Sequence, residues 1–196
     1  MKKERTSRRK DKIISVALMR QKSLALILEN IHDPHNVSAI FRTCDAVGVQ
    51  EVSLIYNYEK FPKLGKKTSA SAYKWVEKQK YKTVKECYKN FHKKGFKIFA
   101  SSLNADKNLY DLDLTGKCAL ILGNEHRGIS GEAGELADEK FIIPMQGMVQ
   151  SLNVSVAAAV ILFEAMRQRT VNGMYKNSEY SEEELKEMIN YWTNKK

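Results

Sequence analysis

Three short segments bring polar residues to places where an apolar element ends, and the candidate chemistry lies there. The first, residues 30–42, reads NIHDPHNVSAIFR. Asn36 stands where a helix should begin, so its side chain either caps backbone N–H groups or faces a substrate. Arg42 falls on the polar stripe of that helix with Ser38 and Asp45, and is either a solvated cation or a holder of anions. The second segment, residues 120–130, reads LILGNEHRGIS: an apolar strand runs out into Gly123, Asn124 and Glu125, with Gly128 ahead of a short helix. Glycines let a backbone approach a ligand closely at a strand end, although an ordinary turn uses them too. In the third, residues 141–153 (FIIPMQGMVQSLN), Pro144 and Gly147 bound a compact loop. Ser151 and Asn153 then bring polar groups to the mouth of a very apolar helix, where one N-cap explains one of them but not both.

Other chemistries fall away on spacing. No GxGxxG follows the first strand, and neither GxxxxGK[ST] nor GxSxG occurs, so the common phosphate cradles and the nucleophile elbow are missing. The four histidines are scattered without HxxxH spacing, and no metal is expected. His92, beside Lys93 and Lys94, reads as a surface residue. Cys44, Cys87 and Cys118 sit in three separate apolar segments with no CxxC pair, as reduced core residues of a cytoplasmic protein would.

The elements that must position these loops alternate in period. Residues 5–20 are helical in pattern, and LALIL at 24–28 reads as a strand buried on both faces. Residues 35–47 form an amphipathic helix ending at Gly48; 51–56 form a strand; the Lys-rich stretch that follows reads mostly as loop. Residues 83–94 are helical with Val84, Cys87, Tyr88 and Phe91 on one face, and Gly95 stops them. Further strands are predicted at 97–100, 117–122 and 140–143. The helix over 153–169 is apolar on nearly every side, which implies burial on more than one face and contact with a second subunit. Ser181 and Glu184 form a capping-box signature for a last helix carrying Leu185, Met188, Ile189 and Trp192 on one face. The alternation predicts an α/β domain with a mostly parallel sheet flanked by helices.

The chain has 196 residues, enough for one substantial core, and a formal net charge of +10. No apolar run reaches the ~18 residues a membrane span needs, so no membrane partner is expected. The basic start lacks the apolar stretch of a secretion signal and is expected to stay on the protein. Cations cluster in residues 1–22, with Arg8, Arg9, Lys10 and Arg20 among them, and again over 60–82, with Lys66, Lys67 and Lys74. Tyr58, Phe61, Tyr73, Trp75 and Tyr81 interleave with the second cluster. Cations that neutralise phosphates beside rings that stack on bases suit an RNA partner; a merely solvated Lys-rich surface has the same composition.

HNVSAIFRTCDAVGV, LILGNEHRGIS and IPMQGMVQSLNVSVAAAVILFEAMRQR together resemble the three motifs of the SpoU branch of the SPOUT superfamily, and within it the SpoU/TrmH family. RTSRRKDKI, LENIHDPHN and KWVEKQKY fit as well, so the likeness covers almost the whole chain. It implies a SAM-dependent transfer of methyl to a ribose 2′-hydroxyl, at guanosine 18 of the tRNA D-loop. Alternatives are another tRNA or rRNA nucleotide, or an RNA-binding protein without catalysis. It implies a deep trefoil knot over roughly residues 97–172, a homodimer, and a division into a basic helical extension (1–22), a methyltransferase domain (23–172) and a C-terminal helical extension (173–196). Asn36, Arg42, Glu125, Ser151 and Asn153 become the catalytic set, with Glu125 either orienting its neighbours or touching substrate. Ala100, Ser101, Leu122, Gly123, Ile143, Met148, Ser151 and Leu152 become the SAM contacts. Arg8, Arg9, Lys10, Arg20, Arg42, Lys66, Lys67 and Lys74 become the RNA contacts. Residues 68–75, TSASAYKW, depart from the family pattern near Ser71–Tyr73, which leaves open how that loop meets RNA.

Overall fold

The computed structural model describes residues 7–63 and 72–195. In chain order its elements are α1 (Ser7–Leu18), β1 (Leu24–Glu29), α2 (Pro34–Val47), β2 (Glu51–Ile55), α3 (Ala72–Trp75), β3 (Glu77–Tyr81) and α4 (Val84–Lys93). There follow β4 (Lys97–Ser101), β5 (Lys107–Asn108), a 3-10 turn at Leu109–Asp111, β6 (Cys118–Leu122), α5 (Gly131–Leu136), β7 (Glu139–Ile142), α6 (Val154–Val171) and α7 (Glu182–Asn194). One seven-stranded sheet runs in the order β3-β2-β1-β6-β4-β7-β5, and its pairings are parallel. The predicted α/β architecture of a mostly parallel sheet flanked by helices is therefore present.

β1 and β6 bury every residue, because helices cover both faces of the sheet centre. α2 and α6 lie on one face over Leu26, Leu28, Leu54 and Leu120. α4 and α5 lie on the other over Ile27, Ile55, Ile98 and Ile121. The alternation of Leu and Ile along β1 and β6 thus sorts side chains between two cores. A third cluster joins the chain ends: Ile13 and Ala17 of α1 pack against Trp192 of α7, with Trp75 edge-on to Trp192 at 5.6 Å.

Several predicted details change. The strand β3 (EKQKY) falls in the stretch whose sequence reads mostly as loop; it buries only Tyr81 and sits at the sheet edge, so its charged residues carry no apolar signal for pairing with β2. The two-residue β5 is too short to leave a pattern. Ser38, expected on the polar stripe of α2, is buried at 3% exposure. Arg20 is not available to RNA. Its guanidinium is wholly buried, paired with the Asp45 carboxylate, donating to the carbonyls of Val49 (3.1 Å) and Asp45 (3.3 Å), and 5.1 Å from the Trp192 ring centre. The three cysteines are buried and unbridged, and burial pushes the Cys87 thiol up to about 12, where it stays protonated at neutral pH. No helix among the described residues is long and apolar enough to cross a membrane.

Candidate active site at the strand ends

The chain runs outward from β1 to β2 and β3, then returns across β1 to build the other half of the sheet. Open α/β sheets offer a crevice at the carboxyl ends of their strands near such a switch. A cavity of about 690 Å³ lies there, at the ends of β4, β6 and β7. Its wall includes Ser101, Leu122, Gly123, Ile143, Ser151 and Leu152, six of the eight expected cofactor contacts. The other two lie elsewhere. Ala100 is fully buried within β4 and faces the α4 core, because strand alternation turns it to the opposite face from Phe99 and half-buried Ser101. Met148 is fully exposed at the tip of its loop.

Three loops are laced together beside this cavity by side-chain hydrogen bonds. α2 begins at Pro34, whose missing N–H costs nothing at a first helical position, and Asp33 caps it by accepting from His35 N at 2.8 Å. Asn36 is thus freed from capping. Its amide donates to Glu125 at 2.9 Å, and its carbonyl oxygen accepts from the Asn153 amide at 3.1 Å. Asn153 does cap its helix, accepting from Ser155 N at 2.9 Å and Ser155 Oγ at 2.6 Å. Glu125 also accepts the backbone N–H groups of His32 (3.1 Å) and Asp33 (3.3 Å). Burial alone would raise the Glu125 carboxyl, but these hydrogen bonds, Asn36 first among them, outweigh it and hold the group below its usual range.

That depression has a sign. Its contribution to stability is complete above the ordinary carboxylate pKa and is lost as pH falls through the lowered folded value. Glu125→Gln is therefore expected to lower the melting temperature by a constant amount from pH 8 down to about 5, with the difference shrinking only below about pH 4. A difference that vanished already at pH 6 would contradict an ionised, hydrogen-bonded Glu125.

Two further positioning residues lie outside the expected set. Asn30 has φ 53°, and its side-chain oxygen accepts the N–H groups of Asn57 (3.1 Å), Tyr58 (3.2 Å) and Glu59 (3.2 Å). Its carbonyl accepts the Asn124 amide at 2.8 Å, and the Asn124 oxygen in turn accepts His126 N at 2.9 Å. The signal was Asn itself, since it tolerates the left-handed region better than other non-glycine residues. Gly123 is needed for a different reason: a Cβ there would meet the Gly128 backbone at 2.1 Å. Gly123→Ala is expected to cost about 1–3 kcal/mol and to open the loop, a loss read by chemical denaturation together with weakened ligand binding at the cavity.

Arg42 is exposed, hydrogen-bonds to no described residue and does not line the cavity; it sits six residues along α2 from Asn36, about 9 Å of helix rise. Ser151 is exposed at the cavity mouth. Arg8, Arg9 and Lys10 are exposed on α1, and Lys74 on α3; Lys66 and Lys67 lie outside the described residues, as does 68–71 of the atypical loop. Among the described residues no cluster of three or more His, Cys, Asp or Glu could hold a metal ion.

Comparison with known proteins adds to this geometry. The model of the SpoU rRNA Methylase family matches residues 23–163. A tRNA (guanosine(18)-2′-O)-methyltransferase of Thermus thermophilus is 42% identical over 194 residues, covering 98% of this chain and all of that protein. The crystal structure of the A. aeolicus TrmH/SpoU tRNA modifying enzyme superposes with a TM-score of 0.89 at 40% identity, covering 95% of each chain. The fold is shared with the SpoU methyltransferase AviRb from Streptomyces viridochromogenes, solved in complex with the cofactor AdoMet, at a TM-score of 0.70 and 24% identity, over 79% of this chain and 62% of that one.

Proposed function

The chain belongs to the SpoU methylase family, and from that premise we propose that it transfers a methyl group from S-adenosyl-L-methionine to the ribose 2′-hydroxyl of guanosine 18 in the tRNA D-loop. The observation that carries the reading is the lacing of Glu125, Asn36 and Asn153 across three loops at the mouth of a cavity on the strand ends. The cavity suits the methyl donor. Leu122, Ile143 and Leu152 offer apolar walls, strand-end backbone offers polar groups, and the volume lies within the range of small-molecule sites.

When bound, SAM supplies an electrophilic methyl carbon on a sulfonium. Held against Leu122, Ile143 and Leu152, it would give that carbon to the ribose 2′-oxygen in exchange for the sulfur–carbon bond, with S-adenosylhomocysteine as leaving group and the hydroxyl proton released to solvent. The residues of this chain align and neutralise. Asn36, after donating to Glu125, and Asn153, after donating to Asn36, each keep one amide hydrogen for substrate oxygens, and Ser151 brings a hydroxyl to the same mouth. Glu125, held by three N–H donors, positions Asn36 and the start of α2. Arg42 holds an RNA phosphate and stabilises the developing alkoxide.

The same reading assigns residues 1–22 and 173–196 to helical extensions around a methyltransferase domain at 23–172, tied in a deep trefoil knot over roughly 97–172. The insertion of β6 between β1 and β4 supports it. It also assigns a homodimer in the cytoplasm. Supporting the dimer, α6 leaves Val156 and Phe163 exposed two turns apart on one side, with Val171 exposed at its end and Met148 and Val149 exposed in the loop that precedes it. The test is incubation of unmodified tRNA with labelled SAM followed by nucleoside mapping. Label at the 2′-oxygen of guanosine 18 is expected; label elsewhere would defeat the nucleotide assignment, and no labelling together with no SAM binding would defeat the activity.

A further inference from the structure

The sheet edge formed by β3 carries its lysines on one face and its carboxylate on the other. Lys78 and Lys80 pair in register with Val52 and Leu54, so all four side chains share the α2 face of the sheet. Glu77, Gln79 and Tyr81 take the other face, where Glu77 accepts the Gln50 amide at 3.1 Å and Tyr81 joins the α4 core. The two ammonium groups are not loose. Lys78 Nζ lies 3.0 Å from the Tyr73 ring centre, and Lys80 Nζ lies 5.9 Å from that of Phe61. Those rings lead inward. Tyr73 packs edge-on against Phe41 of α2 at 5.4 Å; Phe61 packs on Tyr56 at 5.2 Å, whose hydroxyl donates to Ile31 O at 3.0 Å.

We propose that this edge is an RNA-backbone track: Lys78 and Lys80, about 7 Å apart along the strand, hold phosphodiesters flanking the target nucleotide, with Lys60 and Lys63 exposed beside them. The inference rests on the assignment of tRNA as substrate. Charge complementarity selects the partner. The carboxylates of the strand pair, Glu51 and Glu77, lie on the opposite face, so the track presents cations over aromatic rings without a neutralising partner from β2 or β3. The track also shares a sheet face with α2, the helix that bears Arg42, through the contact of Tyr73 with Phe41.

The test compares the full-length wild type with Lys78→Ala/Lys80→Ala, and with Lys89→Ala/Lys93→Ala as a control of equal charge change on the exposed side of α4. Binding of tRNA is measured from 50 to 200 mM salt, and SAM binding by calorimetry. Losing two phosphate contacts should make the log–log salt dependence shallower by about 1.4–1.8, so that over this range the variant loses about tenfold less affinity than wild type does. SAM affinity and the control slope should not change. An unchanged slope in the β3 variant, or an equal change in the control, overturns the track. If wild type binds tRNA with the expected difference in slopes but transfers no methyl to it, the track stands and the proposed activity falls.

Discussion

Replacing Arg42 with alanine is expected to slow methyl transfer about 10²–10³-fold, the loss typical of removing one preorganised donor from a developing anion. Calorimetric affinity for SAM should not move, because Arg42 does not line the cavity. The size follows from asking what a guanidinium can do. Acting as a resting base at neutral pH, a guanidinium must first give up a proton that it holds more tightly than any other side chain does, a large cost ahead of the chemistry. Acting as a charged fork, it needs no such step, and it meets phosphate through two parallel N–H groups. Arg42→Lys separates the fork from the charge alone. The lysine variant should lose about tenfold or more in turnover with little change in salt dependence; near-full turnover would show that a point charge suffices and would remove the planar-fork argument. Exposure of Arg42 without a described partner fits the same reading, since an anion holder that is already paired must first break that pair.

How much of this was legible in the sequence depends on which force places each residue. Apolar runs declare themselves, so β1, β6 and the faces of α2 and α4 follow from periodicity. β3 does not, because at an edge the backbone pairing is made by EKQKY without any need to bury more than Tyr81. The three polar loops were legible as places, and Asn153 as a cap, since the helix it starts is so apolar. The Glu125–Asn36–Asn153 lacing was not, because it joins residues up to 117 positions apart and depends on Asp33 taking over the capping of α2. Charge misled most. Arg20 reads as one more cation of a basic tail, yet it is withdrawn into the joint between α2 and α7 by Asp45 and the Trp192 ring. Nothing in composition distinguishes a cation kept for phosphate from one used inside the fold.

Arg169 carries that last point to its largest energetic consequence. It lies near the end of α6, fully buried, and its guanidinium meets acceptors on every side: Leu114 O at 3.0 Å, Gly116 O at 2.6 Å, Ser23 Oγ at 2.8 Å and Gln21 Oε1 at 3.1 Å. Glu179 supplies the countercharge at 3.5 Å and is itself anchored by Ser23 N at 2.7 Å. One side chain therefore closes the starts of β1 and β6, the turn before β6 and the segment that leads into α7. Arg169→Ala would strand those carbonyls and leave a mostly buried carboxylate unpaired, so a loss of about 3–5 kcal/mol is expected. For a chain of this size that corresponds to a melting temperature lower by roughly 6–20 °C. Arg169→Met with Glu179→Gln should recover part of the loss, because the stranded charge goes while volume is kept. The site gives the discriminating readout. The hub lies at the amino ends of the strands and the cavity at their carboxyl ends, so SAM affinity measured well below the lowered melting point should match wild type. A loss under about 1 kcal/mol would mean that water replaces the guanidinium at little cost, and the arginine would then be an ordinary surface-type cation that happens to point inward.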